Sequence, residues 1–465
     1  VLLILRREDN PLAAEADHDD GGLWPEGVEP TTDFLSTLDF LQNSCGNLFV
    51  TGRAGTGKST LLRAIVRSLA DEVVIGAPTG IAAFNVGGQT LHSLFRLPRE
   101  RLLLDGEEDE VDPRDVFEAG DVTLVIDEVS MVRADVLNAI DYGLRRKREQ
   151  DAPFGGVRVI AFGDTHQLPP VITGGQDDRL RDAFGGTFFF HAPAAQSMSM
   201  VELTEVFRQK DPHFVDILNQ VREGAITDEA LAALNARVGP VPQHNRHRWV
   251  WLCTTNKEAA DVNRRCLAAL PGEARLYRAS ISGEFESHAR RGKAGNLPAE
   301  TELALKVGAR IVFIRNDRHR RWVNGTTGVV TRMDDDGIEV TTGSGEELCV
   351  GLDTWTAYRR VKVDKEVRRE EAGSMSQLPV RLGWAITIHK SQGMTLDSVV
   401  FNAPRSLFAA GQAYVGLSRA RSLDRLLLRR SLTRRDILLS QDAVAYRSLL
   451  LPLETPARGR KTMRR

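Results

Sequence analysis

The segment GRAGTGKS, Gly52 to Ser59, constrains this chain more than any other. It fits the spacing Gly-x-x-x-x-Gly-Lys-Ser/Thr, and its flanks suit it. Asn47 to Val50 reads as a short apolar strand, and Ser59 to Leu69 reads as a helix. A strand that feeds a glycine-rich turn and then a helix is the opening of a βαβ unit. The chemistry follows from the residue types. Gly52, Ala54, Gly55, Thr56 and Gly57 form a turn whose backbone N–H groups curl around phosphate oxygens, and the helix N-terminus adds partial positive charge. Lys58 is placed to reach the β- and γ-phosphates, Ser59 offers a hydroxyl to Mg²⁺, and Thr60 belongs to the same cradle.

Further short apolar runs continue the pattern. Val73 to Ile75, Val122 to Ile126 and Val157 to Phe162 alternate with helical stretches, as around a parallel sheet. A second series starts at Trp249 to Leu252, passes through a helix containing Glu258 and Arg265, and resumes at Ser398 to Phe401. Residues 306–375 differ: short strand signals are separated by Asn324-Gly325, Asp336-Gly337 and Gly343-Ser-Gly345, which reads as an all-β insert. The charged stretch 99–115 reads as a surface insertion.

The chain of 465 residues has room for about three domains. No apolar run approaches the roughly 18 residues of a membrane span, so no membrane partner is expected and a cytoplasmic location is. Cys45, Cys253, Cys266 and Cys349 lack metal-ligand or disulfide spacing and read as free thiols. The net charge of −2 is unevenly spread: residues 1–30 form an acidic lead and 451–465 a basic tail. Both ends read as solvated termini or as partner-binding segments. The chain opens on Val1, which points to an alternative start codon or a truncated product, and no large accessory domain is expected at either end.

VTLVIDEVSM, Val122 to Met131, supplies paired acids at a strand end. Asp127 suits the Mg²⁺ shell, and Glu128 suits orientation and deprotonation of an attacking water. FGDTHQLPPV, Phe162 to Val171, offers Gln167 as a γ-phosphate sensor; taken alone it reads equally as a turn closed by two prolines. Arg208 in LTEVFRQK and Arg419 in GQAYVGLSRARS are candidates to offset transition-state charge, although an isolated arginine is more often a surface residue.

Together with APTGIAAFNVGGQTLHSLF (Ala77 to Phe95), LCTTNKEAADVN (Leu252 to Asn263), WVNGTTGVV (Trp322 to Val330) and LPVRLGWAITIHKSQGMTLD (Leu378 to Asp397), these motifs occur in a specific order. Over residues 31–450 the chain resembles the PIF-type (petite integration frequency) helicases, the 5′-to-3′ DNA helicase family of the superfamily 1 B branch. The segment Asp135 to Val171, with PFGG at Pro153 to Gly156, separates it from relatives of the RecD exonuclease subunit.

The resemblance implies an α/β fold with two RecA-like P-loop domains around ATP. The first would span 31–202, with a small wedge insertion at about 98–118. The second would span 203–309 and 379–450, interrupted by an SH3-like β insert at 310–378. It implies contacts to single-stranded DNA from Thr79, Gly80, Thr90, His92 and Ser93, and from Asn256, Thr387, His389, Lys390 and Ser391. Hydroxyls, amides and one cation suit phosphate gripping without base readout, while each hydroxyl also reads as a helix cap or turn residue. Gln392 and Gly393 are expected to bind the nucleotide, and Gln392 would link the DNA side to the γ-phosphate side. Gln42 is a candidate for reading the adenine. The expected cofactors are ATP and Mg²⁺. The expected partners are single-stranded and tailed or forked duplex DNA, with G-quadruplex or DNA–RNA hybrid as further substrates, engaged by a monomeric motor. Repair, recombination and telomere maintenance are the duties such an engine serves. Two rival readings stay open: a nucleotide-switched single-strand-binding ATPase, and a motor subunit that unwinds only with a partner.

Overall fold

The computed structural model describes Trp24 and residues 29–69, 72–98, 111–118, 120–172, 175–209, 211–241, 249–290, 297–315, 317, 319, 321–322, 325–343, 345–363 and 366–449. The acidic lead (except Trp24, Glu29 and Pro30), most of the wedge stretch and the basic tail lie outside the described residues. The chain divides into two compact units: Val1–Gly239 with Ser391–Asp397 and Ala403–Arg465, and Pro240–Lys390 with Ser398–Asn402.

Among the described residues, six strands build the main sheet of the first unit: β1 (Asn47–Gly52), β2 (Glu72–Ala77), β3 (Gln89–Thr90), β4 (Val122–Ile126), β5 (Arg158–Phe162) and β6 (Met198–Leu203). They form one parallel sheet in the order β3-β2-β4-β5-β1-β6. Strand periodicity sorts the side chains. Leu48, Val50, Val125, Ile160 and Phe162 enter a core with Leu61, Leu62 and Ile65 of the helix Lys58–Ser68. Phe49, Leu124, Ile126, Val159 and Ala161 enter the opposite core with Leu137, Ile140 and Leu144 of the helix Ala134–Arg148. Burial on both faces explains why these strands read as continuous apolar runs rather than alternating ones. β6 escaped the sequence reading because Ser199 and Glu202 interrupt its apolar pattern.

Register places the site. Val50 lies opposite Phe162, Ile126 opposite Ala161, and Gly76 opposite Ile126, so the carboxyl ends of β1, β4 and β5 share one edge. Ligands of open α/β sheets bind along that edge.

The second unit mixes two textures. β7 (Trp249–Cys253) starts it, and the helix Asn256–Ala268 follows, opened by a capping box between Thr255 and Glu258. β8 (Arg275–Arg278) pairs with β10 (Glu302–Leu305); β9 (Ser280–Ile281) lies between them in the chain. β11 (Arg310–Phe313), β12 (Thr327–Met333), β13 (Gly337–Thr342), β14 (Glu347–Gly351) and β17 (Val380–Leu382) make an antiparallel sheet. The long strands β15 (Asp353–Val363) and β16 (Glu366–Gln377) form an antiparallel ribbon that β9 extends. β18 (Ala385–Thr387) and β19 (Ser398–Asn402) flank β7 in parallel. Among the described residues no helix is long and apolar enough to cross a membrane, and all four cysteines are free thiols.

Candidate nucleotide site and strand-contact residues

Within the first unit a cavity of about 420 Å³ opens at the carboxyl edge of the sheet. Its walls include Ala54, Gly55, Gly57, Lys58, Ser59, Thr60, Asp127, Glu128, Gln167, Arg208, Gly393 and Arg419. Residues from six separate sequence motifs therefore meet around one space. Gly52 and Thr56 belong to the same turn but do not line it; Gln42 is exposed on the helix Thr32–Asn43.

The turn needs its glycines. Gly55 (φ +86°) takes the left-handed conformation, and a Cβ there would sit 2.5 Å from Cβ of Arg208. Its carbonyl accepts from the Phe207 N–H at 2.8 Å, tying the P-loop to the segment that carries Arg208. Lys58 Nζ donates to the carbonyls of Gly52 (2.7 Å) and Arg53 (2.9 Å). Burial lowers its pKa, and Asp164 and Glu128 oppose that shift.

β4 ends in the acid pair. Burial and the adjacent Glu128 push the Asp127 carboxyl up to about 7. Glu128 itself sits at φ +52°, an uncommon backbone for a non-glycine residue. Its Oε2 accepts from Gln392 Nε2 at 2.9 Å, and Gln392 Oε1 is buried without a hydrogen-bond partner among the described residues.

Arg419 is fully buried and held from three sides. Nε donates to Val415 O (2.8 Å), Nη1 to Met394 O (2.9 Å) and Nη2 to Ser418 Oγ (2.9 Å). Burial and the nearby Arg208 bring its pKa down to about 9, which leaves it charged at neutral pH. Gln209 braces the same segment, donating from Nε2 to the carbonyls of Ser418 (3.2 Å) and Ala420 (3.1 Å), one on each side of Arg419. Arg208 donates to Ser418 O at 3.4 Å.

Sequence reasoning missed four groups here. Gln209 and Tyr414 lie inside motifs that were noted, and the Tyr414 hydroxyl accepts the Ala54 N–H at 2.7 Å. Asp164 lies in the Gln167 motif, and its partner Arg222 carried no signal at all. Asp164 accepts from Arg222 Nη2 at 3.0 Å, the His166 N–H at 3.1 Å and Gln167 Nε2 at 3.5 Å. Burial would raise the Asp164 pKa, but Arg222 and Lys58 hold it at about 2.

The residues assigned to strand contact share one local design. Thr79 Oγ1 accepts the Ala82 N–H (3.2 Å), Thr90 Oγ1 the Ser93 N–H (3.2 Å) and Thr387 Oγ1 the Lys390 N–H (3.4 Å). Each hydroxyl caps the N–H three residues on. Gly80 and Ser93 are exposed, and Ser93 Oγ accepts from Arg114 Nη2 at 3.2 Å; His92 is half-buried. In the second unit Lys390 Nζ donates to Oδ1 of the exposed Asn256 at 3.3 Å, and His389 is half-buried beside it in the chain. Burial, with Arg381 adding, lowers the Lys390 pKa to about 8; burial lowers that of His389. Ser391 is fully buried.

A parallel sheet that brings a P-loop, two carboxylates, a glutamine and two arginines to one cavity has the design of the P-loop nucleotide-binding class. A family model described as "PIF1-like helicase" matches residues 36–231. The chain is 34% identical over 410 residues to the ATP-dependent DNA helicase Pif1 of Bdellovibrio bacteriovorus, covering 86% of this chain and 88% of that protein. It is 37% identical over 390 residues to the ATP-dependent DNA helicase PIF1 of Mus musculus, covering 82% of this chain; there it spans 57% of its relative's length. A crystal structure of the Bacteroides Pif1 helicase in complex with ADP-AlF3 and ssDNA superposes with a TM-score of 0.76 at 33% identity, over 91% of this chain and 97% of that one. The chain belongs to the PIF1-like helicase family.

Proposed function

We propose that this protein is an ATP-dependent DNA helicase that translocates on single-stranded DNA and unwinds duplex 5′ to 3′ from a single-stranded tail. The observation that carries the reading is the convergence of Lys58, Asp127, Glu128, Gln167, Arg208 and Arg419 on one cavity. Phosphate oxygens would take over from the Gly52 and Arg53 carbonyls as partners of Lys58. Glu128 orients and deprotonates the attacking water, and Gln167 faces the γ-phosphate. Arg208 and Arg419 offset the charge that develops on the transferred group. Gln392, bonded to Glu128, links the HKSQG segment to that chemistry.

The donor set fits Mg²⁺. Ser59 brings one hydroxyl and Asp127 one carboxylate, and this ion completes its shell with waters and phosphate oxygens. The unfavourable burial of the Asp127 charge also fits, since a bound cation reverses it. Bound there, the ion would neutralise developing phosphate charge.

Strand gripping falls to Thr79, Gly80, Thr90, His92 and Ser93 in the first unit, and to Asn256, Thr387, His389 and Lys390 in the second, with Ser391 supporting the HKSQG turn. We assign 31–202 and 203–309 with 379–450 as RecA-like domains, 310–378 as an SH3-like insert and about 98–118 as a wedge. Forked duplex, G-quadruplex and DNA–RNA hybrid are the further substrates to try.

The test is strand separation with ATP and Mg²⁺ on two duplexes, one with a 5′ tail and one with a 3′ tail. Displacement of the 5′-tailed duplex alone is expected. Displacement of neither, with ATPase still stimulated by single strands, would replace autonomous unwinding with a partner-dependent motor.

A further inference from the structure

One buried ion pair has no task in the mechanism above. Arg222 lies in the last turn of the helix Pro212–Glu223 and is 1% exposed; Asp164, which accepts from its Nη2 at 3.0 Å, is 0% exposed. Taking two charges out of water commonly costs as much as their attraction returns, so such a pair is a poor source of stability. Its geometry points elsewhere. Asp164 also receives the His166 N–H and the Gln167 side-chain amide nitrogen. An ionised carboxylate only accepts, so while Asp164 keeps its charge it faces the NH₂ end of the Gln167 amide and excludes the carbonyl end. Gln167 Oε1 is correspondingly buried with no hydrogen-bond partner among the described residues, on a side chain that lines the cavity. The next residue of the helix extends the hold: Glu223 pairs with Arg53 of the P-loop at 3.6 Å.

We propose that Arg222 is a positioning residue: by holding Asp164 in place it fixes which end of the Gln167 amide faces the nucleotide cavity. It thereby governs turnover of bound triphosphate and not nucleotide binding. The inference rests on Gln167 as the γ-phosphate-facing group.

Four proteins test it: wild type, Arg222→Lys, the neutral double variant Arg222→Met with Asp164→Asn, and Gln167→Ala. Single-strand-stimulated ATPase gives kcat and KM, a fluorescent ADP gives Kd, and the melting temperature gives the fold. Misorientation of a reacting group costs up to about 100-fold, so the double variant and Gln167→Ala should each lose about 10- to 100-fold in kcat. ADP affinity and KM should stay near wild type in both. Arg222→Lys keeps the charge but on one ammonium nitrogen in place of the guanidinium fork, and should lose less. Wild-type kcat in the folded double variant, with Gln167→Ala impaired, overturns the role of Arg222 and leaves the mechanism standing. Wild-type kcat in Gln167→Ala overturns the mechanistic reading and the inference with it. Loss of ADP affinity in step with kcat makes the pair merely structural. If the double variant does not fold, Arg222→Lys decides by the same split: lower kcat at unchanged ADP affinity supports the proposal, and unchanged kcat refutes it.

Discussion

The nucleotide cavity and the residues proposed to grip the strand solve opposite problems with similar side chains. Around the cavity, polar groups are buried and already engaged: Arg419 makes three hydrogen bonds, Asp164 accepts three, and Gln392 is bonded to Glu128. Such a site is preorganised for charge that appears during reaction and needs little rearrangement when it does. The strand candidates are mostly half-buried or exposed, and the hydroxyls of Thr79, Thr90 and Thr387 each accept one N–H three residues on. The difference teaches what each site is asked to do. A cavity that stabilises one transition state gains from rigidity. A surface that must release and re-grip a phosphate backbone gains from weak, replaceable contacts.

The sharpest way to break the comparison is to remove Lys58. Lys58→Ala should lower single-strand-stimulated ATPase by on the order of 10²–10³, as when one preorganised charge-stabilising donor is lost. Its burial already disfavours the charged ammonium, so the fold should tolerate the loss. A circular dichroism melt matching wild type, beside turnover lowered by that factor, is the expected pair of results. Retained turnover would remove Lys58 from the site.

His389→Ala tests the other region. Losing one contact to the strand should weaken DNA stimulation by about tenfold while basal ATPase changes little. Equal loss in both would assign His389 to packing. Lys390 sharpens the same side through pH. Burial brings its pKa to about 8, so the ammonium is mostly charged at pH 7 and mostly neutral at pH 9. Single-strand affinity, measured by fluorescence anisotropy at constant salt, should fall several-fold over that interval, less than one full charge-assisted bond of about tenfold. Lys390→Arg should flatten the profile, because a guanidinium stays charged throughout. A wild-type profile already flat would take Lys390 out of the strand contact.

Legibility in the sequence follows the same division. The P-loop, the Asp127–Glu128 pair and the strand–helix alternation were readable because each is contiguous chemistry with a fixed period. Gln209 and Tyr414 stood inside recognisable motifs, yet their partners lie 209 and 360 positions away, and spacing says nothing about those contacts. Arg222 is the extreme case. Its helix shows an ordinary amphipathic pattern, and only the fold reveals that its last turn meets Asp164, 58 positions earlier. Local hydroxyls were ambiguous for a different reason: a threonine that caps and a threonine that binds phosphate look alike.

The structure turns that ambiguity into the smallest and most discriminating prediction. Thr79, Thr90 and Thr387 each use the oxygen to accept an N–H three residues on, which leaves the hydroxyl proton free to donate. Capping and phosphate contact are therefore compatible in one group. Thr90→Val removes both, at about 1 kcal/mol for the cap. Thr90→Ser keeps both functions, while Thr90→Asp keeps the cap and replaces the donor with an anion that repels phosphate. If Thr90 only caps, Asp should match Ser in DNA affinity and Val alone should suffer. If it also contacts the strand, Asp should bind DNA more weakly than Val although its helix is better capped, and the order Ser, Val, Asp in anisotropy titrations separates the two roles that the sequence could not.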